Sequence, residues 1–216
     1  MINQVTTNQN IFFGSTKLYS ARIERFEHNS KKPKKQDVFI TRLDKSDLPR
    51  LLEVKKQWRY TSWASNIIDQ LKDFSYKRTL KEGAVPSFYA VEVPDKSGRP
   101  KIAALAMATN FKKENRTYLD YLQVFSPDYD SDGKGTRIKG AGSCLMYAVI
   151  RQAKQRGNKK LSLSSTGSAE SFYRGYKFKK NSSKYEFALR QKQFEQILNL
   201  LKDKYSIKWE KHEEIT

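Results

Sequence analysis

The sequence predicts an α/β fold in which helices flank one mixed central sheet. Its 216 residues suffice for a single sizeable core. Runs with an apolar residue at every second position predict strands, and stretches with apolar residues three or four positions apart predict helices. These two patterns alternate along the chain without an internal repeat. We therefore expect a single layered domain.

The predicted elements follow in the order strand, two helices, three strands, helix, strand, helix, strand. Strands are predicted at residues 38–43, 87–93, 101–110, 116–125 and 160–165. The first helix begins after Ser46, a suitable N-cap, and Pro49 is tolerated in its first turn. The second helix begins at about Ser65. A third helix runs from the glycine pair 140/142 to Gly157, a suitable C-terminal cap.

The two ends of the chain differ from its middle. Residues 1–36 lack periodicity and end in a lysine-rich run, which predicts a flexible basic arm with one ordered patch at residues 11–13. Such a run is typical of a solvated linker, and a nucleic-acid or nuclear-localisation patch is the alternative. Residues 37–190 form the predicted domain. Residues 191–216 supply an amphipathic helix and tail packed on it, with Phe194, Ile197, Leu198 and Leu201 on one stripe.

Composition limits the environment and the partners. The formal net charge is +19, which favours a polyanionic partner such as nucleic acid, a ribosome or an acidic membrane surface. A lysine-rich surface without a dedicated site is the alternative. One cysteine excludes an internal disulfide, and no apolar run reaches the roughly 20 residues of a membrane span. A cytoplasmic protein is expected, with secretion without a cleavable signal as the rival.

The most informative segment is Arg137-Ile138-Lys139-Gly140-Ala141-Gly142, between a predicted strand and a predicted helix. This geometry offers free backbone N–H groups to an anion at the helix N-terminus, and glycine permits close backbone approach. It is not a Walker A loop, because the Gly-Lys-Ser/Thr ending is missing. It is not a dinucleotide fingerprint, because Leu145 replaces the third glycine. The sequence predicts an anion site here, with a ligand-free turn as the alternative.

Two motifs that follow one another along the chain resemble those of a known family. The hexapeptide fits R/Q-x-x-G-x-G/A, and residues 169–178, AESFYRGYKF, fit A-x-x-F-Y-x-x-x-G-F except at Lys177. Together with the element order over residues 37–190, they resemble the GNAT N-acetyltransferase superfamily. The resemblance implies that acetyl-CoA donates an acetyl group to an amine acceptor: a protein, peptide, aminoacyl-tRNA or small amine. Lys177 in place of glycine keeps an alternative open, a catalytically inactive GNAT-fold module that binds nucleic acid.

The resemblance also implies binding roles. Backbone N–H groups of the turn would hold the pyrophosphate, and the end of the strand at 116–125 would contact the pantetheine arm and the thioester carbonyl. The implied cofactor-binding residues are Val124, Phe125, Arg137, Ile138, Lys139, Gly140, Ala141, Gly142 and Ser143. Three aromatic residues, Trp58, Tyr60 and Trp63, would wall the acceptor site. Core packing of at least one tryptophan is the alternative.

Two residues are the predicted catalytic groups. Asp120 precedes Val124 by four residues, so strand alternation places both on one face. Burial there would raise the pKa of the carboxyl group toward the range of a general base. Glu92 is the second candidate, and a water relay is the third. Tyr173 matches the family tyrosine that protonates the departing thiolate, since a phenol and a thiol have similar pKa values. Packing against Phe172 is the alternative.

Other chemistries find little support in the sequence. Residues 128–133, DYDSDG, open like an EF-hand loop, but Lys139 occupies the twelfth position, where glutamate is required. No metal is therefore expected. The only histidines, His28 and His212, lie near the two ends of the chain and do not predict a Ser-His-Asp or Cys-His arrangement or a zinc site. Cys144 is interpreted as a small packing residue.

Overall fold

The computed structural model describes residues 16–26, 32–58, 62–73, 83–94, 98–124, 137–181 and 185–210. Within them, the strands are β1 Thr16–Phe26, β2 Lys34–Leu43, β3 Ala84–Pro94, β4 Pro100–Phe111, β5 Arg116–Val124, β6 Arg137–Lys139, β7 Lys160–Ser164, β8 Lys179–Lys180, β9 Glu186–Arg190 and β10 Lys208–Trp209. The helices are α1 Leu48–Gln57, α2 Ser62–Asp73, α3 Ala141–Gln155, α4 Glu170–Gly175 and α5 Gln191–Tyr205.

One mixed sheet runs through the domain in the order β10-β1-β2-β3-β4-β5-β7-β9-β8, and β6 adds to the edge of β1. Neighbouring strands are antiparallel except for β5 and β7, which are parallel. A parallel pair needs a crossover, and α3 supplies it between these two strands. The predicted α/β fold class, a mixed sheet flanked by helices, is confirmed.

The two faces of the sheet bury different side chains. In β4, Ala104, Ala106 and Ala108 face the core beneath α3 and α5, whereas Leu105 and Met107 face the core beneath α1 and α2. The alanines let α3 approach the sheet closely, because a methyl side chain adds little thickness. We call these the α3 face and the α1–α2 face.

The N-terminal segment departs from the prediction. Residues 16–26 form β1, which pairs with β2, so the expectation of a flexible arm is wrong there. The boundary at residue 37 is also wrong, because β2 begins at Lys34. Tyr19, Ala21 and Ile23 are buried and alternate with polar neighbours, a period-two pattern that the surrounding charge obscured. The predicted ordered patch at residues 11–13 lies outside the described residues.

The C-terminal helix, Gln191–Tyr205, lies within the predicted segment 191–216 and buries the predicted stripe. It packs against α3, and the chain then adds β10 to the edge of β1. On the other face of the sheet, α2 begins at Ser62, three residues before the predicted start. No helix in the described part of the chain is long and apolar enough to cross a bilayer.

Candidate active site

The sheet opens between β5 and β7. These strands pair only where residues 116–119 meet residues 160–163. Beyond that point β7 ends at Ser164, while β5 continues to Val124 and stays paired with β4. Along residues 120–124, the outer edge of β5 therefore has no strand partner among the described residues. Its backbone N–H and C=O groups are available to an extended ligand.

The glycine turn lies beside this opening. Gly140 is the N-cap of α3 with φ +112°, and no side chain caps the helix. The Cys144 N–H bonds to the Gly140 carbonyl at 3.0 Å, so the preceding N–H groups have no acceptor within the helix. A Cβ on Gly142 would lie 3.2 Å from Val124 Cγ2. The free donors and the open edge of β5 are therefore neighbours, as an elongated anion requires.

Buried side chains hold this turn from below. A Cβ on Gly140 would lie 2.6 Å from Cε1 of Tyr205. The Tyr205 hydroxyl donates to Ser143 Oγ at 3.1 Å, and Ser143 Oγ shares a 2.6 Å hydrogen bond with the Tyr176 hydroxyl. The Ser143 side chain is thus hydrogen-bonded inside the protein, and only its backbone N–H is available to a ligand. Sequence reasoning missed Tyr205, because no local motif marks a residue 62 positions from its partner.

The other predicted cofactor-binding residues lie on β6 and at the start of α3. Ile138 is half-buried and Lys139 is exposed on β6, whose residues 137–139 pair with residues 24–26 of β1. The backbone of Arg137 belongs to this strand. Ala141 is buried at the start of α3. Phe125 lies outside the described residues.

Asp120 sits at a β-bulge. Leu119 pairs with Ala108 and Tyr121 pairs with Met107, so Asp120 has no partner on β4 and strand alternation shifts by one residue. Val124 packs with the α3-face core. The Asp120 carboxylate instead bonds to Thr109. Thr109 is two residues from Met107 in β4 and therefore lies on the same α1–α2 face. The prediction that Asp120 and Val124 share a face is therefore wrong, because of the bulge.

The environment of Asp120 suits a base. Thr109 Oγ1 donates to Asp120 Oδ2 at 2.7 Å. Burial raises the pKa of the carboxyl group from 3.8 to about 6, against the opposing effects of the Thr109 hydrogen bond, backbone donors and the Arg116 charge. The raised pKa lies near the working range of a general base. Sequence reasoning missed Thr109, whose partner is set by strand pairing.

Tyr173 approaches from the α3 face. It is buried in α4, and its ring packs edge-on against Phe172 at 5.1 Å and against Phe178 at 5.8 Å. Burial raises the pKa of Tyr173 to about 12. Phe172 Cζ lies 3.7 Å from the position of a Gly142 Cβ. The helix that carries Tyr173 thus adjoins the glycine turn, with Asp120 on the other side of the opened sheet.

Glu92 has a different environment. Its Oε1 accepts from Arg50 at 2.6 Å and from Thr41 Oγ1 at 3.1 Å, and the residue is 3% exposed. Arg50 also binds the buried Asp47 at 2.8 Å. These contacts fasten the start of α1 to β2 and β3. Glu92 therefore takes part in a structural ion pair that links α1 to the sheet.

The aromatic residues divide between core and cleft. Trp58 is 4% exposed within the core of the α1–α2 face, so burial selects the core alternative for it. Trp63 is 47% exposed, and its ring lies 5.4 Å from that of Tyr121. Nearby, the Ala64 N–H at the start of α2 donates to Gln123 Oε1 at 3.0 Å. Trp63 and Tyr121 thus form an aromatic surface beside Asp120, while Tyr60 lies outside the described residues.

The remaining predictions concern single side chains. Cys144 is buried and burial raises the pKa of its thiol to about 12, consistent with a packing residue. Lys177 adopts φ +62°, a conformation that favours the glycine of the family motif. The EF-hand-like segment and both histidines lie outside the described residues. Within the described ranges, no three His, Cys, Asp or Glu side chains group as metal ligands.

A surface cavity lies at the other end of the sheet. Leu43, Leu71 and Phe88 are among its lining residues, which come from the end of β2, the end of α2 and the start of β3. Register places the start of β3 beside the end of β4 and the start of β5. The opening beside the glycine turn is at the opposite end of β5. The cavity is therefore separate from the candidate site.

Comparison with solved structures identifies the fold. A protein from Exiguobacterium sp. 255-15 named as an acetyltransferase shares 16% identity, with a TM-score of 0.51 over 74% of this chain and 97% of that chain. A GNAT-family acetyltransferase from Staphylococcus aureus Mu50 shares 14% identity, with a TM-score of 0.48 over 71% and 99%. The ribosomal-protein-S18-alanine N-acetyltransferase from Escherichia coli shares 19% identity, with a TM-score of 0.44 over 71% and 93%.

No protein-family model and no curated protein sequence matches the chain. The likeness is therefore one of three-dimensional structure. The chain has the fold of the GNAT acetyltransferases, and the resemblance predicted from the two motifs is confirmed at that level.

Proposed function

We propose that the protein is an N-acetyltransferase that moves an acetyl group from acetyl-CoA to an amine. The observation that carries this proposal is that an uncapped helix N-terminus lies beside an opened strand edge, since a Cβ added to Gly142 would come within 3.2 Å of Val124 Cγ2. A pyrophosphate suits the first feature, and an amide-containing arm suits the second. Asp120 lies on the same strand beside the opening, and it would act as the base.

The chain would bind acetyl-CoA mainly through backbone hydrogen-bonding groups. The N–H groups of Ala141, Gly142 and Ser143 would bind the pyrophosphate, with Lys139 exposed beside them. A side chain at Gly142 would intrude on the contact with Val124. The unpaired edge of β5 near Val124 would accept the pantetheine amides. These residues therefore fit the donor substrate.

Two side chains have the protonation states that the transfer needs near neutral pH. With a pKa of about 6, Asp120 is mostly ionised and can take the proton that the amine nitrogen loses as it bonds to the thioester carbonyl carbon. Burial raises the pKa of Tyr173 to about 12, above the roughly 8.5 of a thiol, so Tyr173 stays protonated and would stabilise the departing thiolate by a hydrogen bond as the C–S bond breaks, without giving up its proton. The two groups lie on opposite faces of the opened sheet, so they act from different sides.

The acceptor surface is aromatic and acidic. The rings of Trp63 and Tyr121 lie 5.4 Å apart beside Asp120. Aromatic rings and a carboxylate both attract a protonated amine. An acceptor amine with an adjoining apolar or aromatic group fits this surface. A peptide N-terminus or a small aralkyl amine meets that description.

Calorimetric titration with acetyl-CoA tests the proposal. We expect micromolar binding by the wild type and about tenfold weaker binding by Lys139→Glu, since the substitution places a negative charge beside the pyrophosphate donors. Lys202→Glu, an exposed change on α5, is the matched control and should bind like the wild type. A folded wild-type protein that does not bind millimolar acetyl-CoA would overturn the proposal.

Turnover with a panel of peptide and small-molecule amines tests the chemistry. Asp120→Asn should retain acetyl-CoA binding and lose transfer by about 10²-fold or more, the scale of general base catalysis. Full transfer activity in this variant would remove Asp120 from the mechanism and favour a water relay.

A further inference from the structure

One hydrogen bond joins the start of α2 to the end of β5. The Ala64 N–H donates to Gln123 Oε1 at 3.0 Å, across 59 positions of the chain. Ala64 belongs to the first turn of α2, which begins at Ser62. The first N–H groups of a helix have no acceptor within the helix itself. Gln123 therefore supplies from the sheet the acceptor that a capping side chain usually supplies from the residue before the helix.

The register of β5 explains why Gln123 faces α2. Gln123 pairs with Leu105 of β4, and Tyr121 pairs with Met107. Leu105 and Met107 both belong to the core of the α1–α2 face. Residues that lie opposite each other on paired strands share a face, so Gln123 and Tyr121 lie on this face together. Gln123 is therefore on the same side of the sheet as Asp120 and α2.

The bonded turn also carries Trp63. Trp63 directly precedes Ala64, and its ring is tilted by 40° against that of Tyr121, with the ring centroids 5.4 Å apart. Ala64 is buried, whereas Trp63 is exposed, so the helix start is seated on the domain while the indole stays accessible to a ligand. Two neighbouring contacts from β5 thus fix the aromatic surface: the Tyr121 ring against Trp63, and Gln123 against the turn that carries it.

The rest of α2 is held by other contacts. Ile67, Ile68 and Leu71 are buried in the core of the α1–α2 face, and Asp69 pairs with Lys55 of α1 at 3.3 Å. The Gln123 bond acts nearer the start of the helix than these contacts, at the end that carries Trp63. Loss of this bond should therefore loosen the first turn and leave the remainder of the helix in place, because local opening follows local contacts.

We propose that Gln123 is a positioning residue that sets the selectivity for the acceptor amine by holding Trp63 against Tyr121. This inference rests on the proposed acetyl transfer. A pair of aromatic rings attracts a protonated amine and packs against an aromatic group attached to it. The pair therefore favours an aralkyl amine over a short alkyl amine while the two rings stay together. The bond does not hold the proposed base, because Asp120 has its own partner in Thr109.

Steady-state transfer to phenethylamine and to ethylamine tests the selectivity. Gln123→Ala should raise the KM for phenethylamine about threefold to tenfold, the scale of a cation–π contact, and change kcat and the KM for ethylamine by less than about twofold. In a Trp63→Ala background the same substitution should add nothing, because Gln123 acts through Trp63. Gln193→Ala is the matched control: Gln193 Oε1 accepts from the Arg190 N–H at the start of α5, and its loss should leave both KM values unchanged.

Hydrogen exchange tests the contact without turnover. Gln123→Ala should speed exchange at the start of α2 about threefold to tenfold, whereas Gln123→Glu keeps an acceptor oxygen and should exchange like the wild type. Unchanged exchange in Gln123→Ala, an equal rise in KM for ethylamine, or a further rise in the Trp63→Ala background would overturn the role of Gln123. If exchange behaves as expected but the wild type does not bind acetyl-CoA, the proposed function fails, and the selectivity role fails with it, while the contact stands.

Discussion

Replacing Asp120 by asparagine should stabilise the protein at the pH where the carboxylate is charged. The pKa of this group rises from 3.8 to about 6 on folding because burial penalises the anion. The folded state therefore holds the proton more tightly than the unfolded chain. That contribution to stability is complete below pH 4 and is lost as the pH rises through about 6.

The pKa shift sets the size of the effect. A rise of about two units corresponds to about 3 kcal/mol at 1.36 kcal/mol per unit, an upper value because Asp120 is partly exposed. The asparagine carbonyl can still accept from Thr109, so the variant keeps that hydrogen bond. We expect Asp120→Asn to raise the free energy of unfolding by about 1 to 3 kcal/mol at pH 8 and by nothing below pH 4.

Urea denaturation of both proteins at pH 4, 6 and 8 measures this difference. The midpoint should move while the m-value stays constant, as for a change in stability alone. Asp69→Asn, at an exposed carboxylate paired with Lys55, is the control and should change stability by less than about 0.5 kcal/mol. A variant at Asp120 that is less stable than the wild type at pH 8, or a difference that does not depend on pH, would refute the reasoning.

Three further predictions concern single contacts. Thr109→Val removes the donor to Asp120 and should raise the acidic limb of the pH–rate profile by about 1 to 2 units; an unmoved limb contradicts the assigned role. Lys177→Gly relieves a left-handed φ of +62° and should raise the melting temperature by about 2 to 4 °C, measured calorimetrically. Gly140→Ala meets Tyr205 and should weaken acetyl-CoA binding in calorimetric titration; unchanged affinity would contradict the role of the turn.

The longer elements were predictable because their patterns are local. The strands β3 to β5 are nine to twelve residues long and rich in apolar and aromatic residues, and α5 carries its apolar stripe over four turns. In contrast, β8 and β10 have two residues each. Such strands exist only because a neighbour offers a hydrogen-bonding edge, so no local pattern marks them. The strand β1 was intermediate in how far it could be predicted, because charged residues conceal its alternation of apolar and polar residues.

The candidate site was predictable only where one segment carries it. The glycine turn and Asp120 could be found, because a motif and a carboxylate stand out in the sequence. Thr109 and Tyr205 could not, since they reach their partners through strand pairing and helix packing. One signal was present and unread: Leu119 and Leu122 are three residues apart, although a regular strand would place its apolar residues two apart. That shift in phase marks the bulge.

The bulge explains how one strand serves both sides of the opening. Without the extra residue, Tyr121 would pass to the α3 face and Val124 would pass to the α1–α2 face. With it, Val124 packs against the glycine turn, whereas Tyr121 follows Asp120 on the side of Trp63. The proposed base, Asp120, and the aromatic residue Tyr121 are thus neighbours on one face, whereas Val124, beside the glycine turn, lies on the other. A single inserted residue therefore aligns donor site, base and acceptor surface along β5.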